Sequence, residues 1–204
     1  MKQKCYISKS KVNCGPCSFI NLIGLKGNLN LENKLSSVGR MKPFYANDYT
    51  SFLIWSKKYK KNIVVYITSP GVSKKFENFM VKFEKIPKNK ETLYRKQLRI
   101  RHEKLNKTFR KSIFIMRNPI KKMDQLLSKN YSVAVLTSDY YSHPNRLPVP
   151  HWIVSYKKRG NNYYFADSAS GFIVLTKQQI LKGFRLNKKT GLNPQLIGYR
   201  CSKC

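Results

Sequence analysis

The stretch Asn13-Cys14-Gly15-Pro16-Cys17-Ser18-Phe19-Ile20-Asn21-Leu22-Ile23 constrains the fold more than any other, because it reads as an apolar helix that the rest of the chain must enclose. Phe19, Ile20, Leu22 and Ile23 bury that helix and so fix the direction in which its first residue points. That residue is a cysteine. A thiol at a helix N-terminus faces unpaired backbone N–H groups and the positive end of the macrodipole, which favours the thiolate and lowers its pKa. Cys14 is therefore a candidate nucleophile, held with the rigidity that catalysis needs.

A nucleophilic thiol requires a base. Pro150-His151-Trp152-Ile153-Val154-Ser155-Tyr156 alternates like a strand and begins with a histidine. A second strand pattern, Tyr163-Tyr164-Phe165-Ala166-Asp167, ends in the turn residues Ser168-Ala169-Ser170-Gly171, and Gly160-Asn161-Asn162 between the two runs reads as a hairpin turn. Pairing the two strands brings His151 to Asp167. From residue 140 to the C-terminus Asp167 is the only carboxylate side chain, and it stands where an imidazole orienter is wanted. His143, beside Pro144, is the rival base, but no strand pattern and no suitably placed acid follow it.

Cys-Gly-Pro opening a helix, a distant His-Trp-Ile-Val strand and an aspartate after a hairpin resemble the papain-like cysteine peptidases, most closely the bacteriocin-processing (double-glycine leader) peptidase-like group. The residues carrying the resemblance are Cys14, Gly15, Pro16, His151, Trp152 and Asp167. It implies an α+β, papain-like two-part fold, in which an N-terminal helix bearing the cysteine packs on a mixed, mostly antiparallel sheet bearing the histidine and aspartate. It also implies a cysteine-dependent peptidase or amide hydrolase, or an acyltransferase with the same chemistry. Such an enzyme forms a covalent thioester, uses no cofactor or metal, and acts on a peptide or protein substrate. In that family a glutamine about six residues before the cysteine helps bind the oxyanion; here Ser8 stands at that position, and Gln3 and Asn13 are the other candidates. Gly15, Tyr140, Tyr141 and Trp152 are the candidate residues of the substrate cleft.

With 204 residues and 41% hydrophobic content, the chain has enough apolar mass for one substantial core. A single catalytic domain over 1–204 is expected, with a basic helical insertion around 73–112. No apolar run follows the charged start and none approaches the length of a membrane span, so the expectation is a cytoplasmic protein. Five cysteines, an odd number, together with a nucleophile kept as a free thiol, fit a reducing compartment. The formal charge of +32 would steer acidic peptides toward a cleft and allow non-specific, salt-sensitive polyanion binding. No nucleic-acid-binding motif accompanies the charge.

Along the chain, a short helix is expected around Leu31 to Leu35, and Asn47 or Asp48 caps a helix carrying Phe52, Ile54 and Trp55. Asn62 to Thr68 reads as a buried strand. Ser73 starts a helix whose Phe76, Phe79, Met80 and Phe83 share one face, read as core. Lys88 through Lys111 is an amphipathic basic helix with ten Lys or Arg residues, and His102 within it is expected at the surface. A helix from Pro119, strands over 132–137, 171–175 and 195–199, and a helix capped by Thr176 complete a mixed sheet packed against helices. Residues 138–150 form a long loop read as a substrate-binding rim.

Two rival readings of the cysteines remain at this level. Cys14-Gly15-Pro16-Cys17 is also the spacing of a thioredoxin-like thiol oxidoreductase, although the preceding Lys9 to Asn13 is polar where that motif follows an apolar strand. Alternatively, Cys14, Cys17, Cys201 and Cys204 form two Cys-x-x-Cys pairs able to hold zinc in a basic, nucleic-acid-associated binding protein.

Overall fold

The computed structural model describes residues 5–10, 13–39, 47–142 and 149–200. Gln3, His143, Cys201 and Cys204 lie outside the described residues. Seven α-helices and a mixed seven-stranded sheet are present among the described residues, giving an α+β fold. The helices are α1 (Cys14–Ile23), α2 (Leu29–Gly39), α3 (Tyr49–Lys58), α4 (Lys74–Phe83), α5 (Lys88–Thr108), α6 (Pro119–Ser128) and α7 (Lys177–Lys189). The strands are β1 (Ile63–Ile67), β2 (Ile113–Ile115), β3 (Ser132–Ser138), β4 (Pro150–Arg159), β5 (Asn162–Asp167), β6 (Gly171–Thr176) and β7 (Gln195–Tyr199).

Local chemistry sets the boundaries. Asp48, Ser73, Asn118 and Thr176 each accept a backbone N–H at the start of their helices, and Thr176 completes a capping box with Gln179. The α1 helix ends where Gly24 turns left-handed at φ 69°. The helix expected around Leu31 extends further, from Leu29 to Gly39.

The strands run in the order β2-β1-β7-β3-β4-β5-β6, and only the β1–β2 pair is parallel. Alternation within the central strands feeds two cores on opposite faces. Ala134, Leu136, Trp152, Val154 and Ile197 face α1, α3 and their neighbours, with Phe19, Phe52 and Trp55 at the centre. Val133, Val135, Ile153, Phe165 and Leu196 face α6 and α7 through Met123, Ile180 and Phe184. Gly183 makes the second contact possible, because a Cβ there would sit 2.0 Å from Thr137 Oγ1.

The segment between β1 and β2 is α4 and α5. Tyr94 and Leu98 of α5 join the first core, and Arg99 makes a two-pronged ion pair with buried Glu77 of α4. Two expectations fail here. His102 is 3% exposed, not superficial, because α5 lays that face on α3: Tyr49 Oη is 3.2 Å from its Nδ1 and Asp48 Oδ2 is 2.6 Å from its Nε2. The α4 stripe is only partly core, since Phe76 and Met80 are buried while Phe83 is 48% exposed and stacks on half-buried Phe79.

Candidate active site

His151 lies near the start of β4, and the β4–β5 register sets Asp167 opposite Ile153. Period-two alternation therefore puts His151 and Asp167 on one face as diagonal neighbours. His151 Nε2 is 2.7 Å from Asp167 Oδ1, which also accepts the Ala169 backbone N–H at 2.9 Å. Asp167 is 0% exposed. With Nε2 occupied by the carboxylate, Nδ1 is the ring nitrogen left for Cys14, whose thiol and this imidazole shift one another's ionisation. The three residues sit on α1, β4 and β5, and the α1–β4 packing joins them; Ser18 of α1 donates to the Trp152 carbonyl at 2.8 Å.

The electrostatics of the three groups interlock. Burial opposes the Cys14 thiolate, yet the hydrogen bond and charge of His151, aided by the Trp152 backbone, hold the thiol below its ordinary value. Burial likewise disfavours the imidazolium, but the hydrogen bonds to Asp167 and Cys14 outweigh it and raise His151 to about 10. Burial would raise Asp167; its bond to His151 keeps it below the usual carboxylate range. The imidazolium thus favours both anions, while the Asp167 charge opposes the Cys14 thiolate.

Glu32, 0% exposed on α2, organises the approach to Cys14. Its carboxylate accepts from Tyr6 Oη at 2.9 Å, Ser8 Oγ at 2.9 Å, the Lys9 N–H at 3.0 Å and Asn13 Nδ2 at 3.0 Å. Asn13 also accepts from Ser36 Oγ at 3.0 Å, and Ser8 Oγ approaches the Ser10 carbonyl closely. Ser8 and Asn13, two of the oxyanion candidates, both give side-chain hydrogen bonds to this carboxylate, since a buried charge takes the nearest donors available. Gln3 lies outside the described residues.

Asn47 is a residue that sequence reading passed over as a site. A Cβ on Gly15 would lie 2.6 Å from Asn47 Cβ and 3.2 Å from its Nδ2, so Asn47 covers the first turn of α1. Its carbonyl accepts Trp152 Nε1 at 2.8 Å, and among the described residues its buried Oδ1 has no hydrogen-bond partner. Gly15 thus admits Asn47 to the site and is itself buried. Trp152 is 1% exposed and packs against Phe52 with the rings tilted by 48°.

A cavity of about 620 Å³ opens beside Cys14 and His151 and is walled by Asn47, Asp48, Asp139, Trp152, Ser168 and residues of α4 and α5. Tyr141 stands beside the imidazole, ring centroids 6.5 Å apart; burial, then the Asp167 charge, keeps its phenol protonated. Tyr140 does not line the cavity: its hydroxyl donates to the Gln179 carbonyl at 2.7 Å and Lys182 covers its ring, which ties it to α7. Of the stretch 138–150 read as a rim, Asp139, Ser142, Val149 and Pro150 border the cavity, while 143–148 lie outside the described residues.

The remaining thiols differ from Cys14. Cys17 is 0% exposed, and burial raises its pKa strongly. Cys5 donates to the Asp167 carbonyl at 3.6 Å, and burial raises it to about 11. Among the described residues no group of His, Cys, Asp and Glu side chains is arranged to hold a metal ion, and no helix is long and apolar enough to cross a membrane. No protein-family model matches the chain, and no curated protein matches it.

Proposed function

We propose that the protein is a cysteine-dependent amide or peptide hydrolase of papain-like kind, resembling the leader-processing peptidases. The observation that carries this reading is the Cys14–His151–Asp167 line, with its 2.7 Å imidazole–carboxylate bond and lowered thiol. Cys14 Sγ adds to the substrate carbonyl, forming a tetrahedral oxyanion. His151 gives its proton to the leaving amine as the C–N bond breaks, and a thioester remains on Cys14. Water then adds to the thioester carbonyl, His151 takes the proton, and collapse releases a carboxylic acid and restores the ion pair. Asp167 holds the imidazole in one tautomer throughout. The Cys14 backbone N–H and the Asn47 side-chain amide are the oxyanion donors, the latter in place of the family's glutamine.

Two rivals carry less. Thiol–disulfide chemistry through Cys17 requires a second reactive sulfur, whereas Cys17 is buried and its pKa is raised. A zinc-closed, nucleic-acid-associated protein leaves the pairing of His151 with Asp167 without a purpose.

Single-turnover acetylation with p-nitrophenyl acetate, mapped by mass spectrometry, tests the reading. The acetyl adduct is expected on Cys14 in the wild type and much more slowly in His151→Ala. Equal rates in the two proteins, or acetylation of Cys5 and Cys17 in preference, would overturn it.

A further inference from the structure

We infer that the acyl side of the substrate carries a long apolar chain, which lies in the cavity between Cys14 and the α4–α5 pair. This rests on the thiol-hydrolase reading of Cys14. Phe76, Phe79, Met80 and Phe83 of α4, with Tyr94 and Leu98 of α5, all border that cavity together with Cys14. In a helix that had only to pack, the outward half of this stripe would be polar; here Phe79 and Phe83 stack on each other at 5.5 Å with Phe83 still 48% exposed. A volume of about 620 Å³ suits a medium-sized organic ligand.

An extended peptide is the less suitable occupant. Strand-like peptide binding needs a free sheet edge, and the strands reaching the cavity, β3 and β4, are each paired on both sides. Three backbone donors on the opposite wall are also engaged, Ser8 N–H by the Ser168 carbonyl, Lys9 N–H by Glu32 and Ser10 N–H by Ser8 Oγ. An alkyl chain asks nothing of these groups. Its carbonyl meets Cys14, the bond to the leaving group breaks as His151 protonates that group, and the chain stays in the cavity as the thioester until water releases the fatty acid. The +32 charge complements an anionic leaving group such as a nucleotide-bearing thiol, so the acyl chain is the shared chemistry and its carrier is either neutral or anionic.

The test begins with binding, which does not depend on turnover: calorimetric titration of Cys14→Ala with N-methylacetamide and N-methyloctanamide. At roughly 0.8 kcal/mol per buried methylene, the octanamide is expected to bind on the order of a hundredfold more tightly or better. A gain below about tenfold overturns the inference. Phe79→Asp is expected to cut the gain at least about tenfold; if that variant fails to fold by circular dichroism, Phe83→Asp replaces it. An undiminished gain in the folded variant also overturns it. Acylation of the wild type by p-nitrophenyl acetate without chain-length-dependent binding sinks this inference and spares the hydrolase; chain-length-dependent binding without acylation of Cys14 overturns the hydrolase reading, and with it the acyl role of the chain. Octanoyl coenzyme A run against p-nitrophenyl octanoate at low and high salt separates the carriers, since only an anionic one loses rate as salt rises.

Discussion

At the residue scale the assignments turn on which side chains are free to act. Ser8 and Asn13 occupy favourable positions in the chain, but buried Glu32 engages both. Asn47 comes from a different segment and reaches the α1 N-terminus only because residue 15 has no side chain. As an oxyanion donor, Asn47→Ala should lower kcat by about 10²–10³ with little change in KM. Steady-state kinetics check this, and a rise in KM alone would make Asn47 a ground-state contact. The pKa directions set a pH window. Cys14 is lowered and His151 raised, so the ion pair exists above the folded Cys14 value and is lost as pH rises through about 10. The rate should therefore hold through neutral pH, with its alkaline limb from His151.

At the element scale, α1 depends on two supports. One is the close approach of Asn47 to its first turn. Gly15→Ala would place a Cβ 2.6 Å from Asn47 Cβ, an overpacking that should cost about 1–3 kcal/mol in denaturant unfolding and reduce acylation of Cys14 as well. The other is Glu32, whose carboxyl, despite the burial that would raise it, is lowered from 4.5 to about 2 by its hydrogen bonds. A lowered acid stabilises the fold above its unfolded pKa, and that stability, about 3 kcal/mol, is lost as pH falls from 4.5 through about 2. Glu32→Gln should lose that share at neutral pH and flatten the acid limb of the stability curve, read by unfolding at several pH values. Elements with strong local signals were legible in the sequence: the strand starting near His151, the Gly160 hairpin, and the caps at Ser73 and Thr176. What escaped depended on distant partners. The three residues of β2 carry no period of their own and exist by pairing with β1. Glu32 stands in a polar, turn-rich stretch, His102 in a run of cations, and both are buried by elements far away in sequence. The Phe79 and Phe83 positions have core spacing, and only the packing leaves them facing a cavity.

At the scale of the whole molecule, a sheet with helices on both faces carries a formal charge of +32. Unscreened, that charge opposes compaction. Raising ionic strength from about 0.01 to 0.15 M shortens the Debye length from roughly 30 to 8 Å, so Tm should rise over that range in sodium chloride; a fall would mean that attractive pairs such as Arg99–Glu77 dominate instead. The same architecture gives its three described thiols three environments. Cys14 faces an imidazole at a helix mouth, Cys17 is sealed in the core, and Cys5 lies against the Asp167 backbone. The most direct measurement is the pH dependence of iodoacetamide alkylation at each cysteine, mapped by mass spectrometry in the wild type and in His151→Ala. Cys14 should react fastest, retain that advantage at mildly acidic pH, and lose it in the variant. Equal reactivity of Cys14 and Cys17, or a Cys14 rate indifferent to the loss of His151, would contradict the thiolate–imidazolium pair.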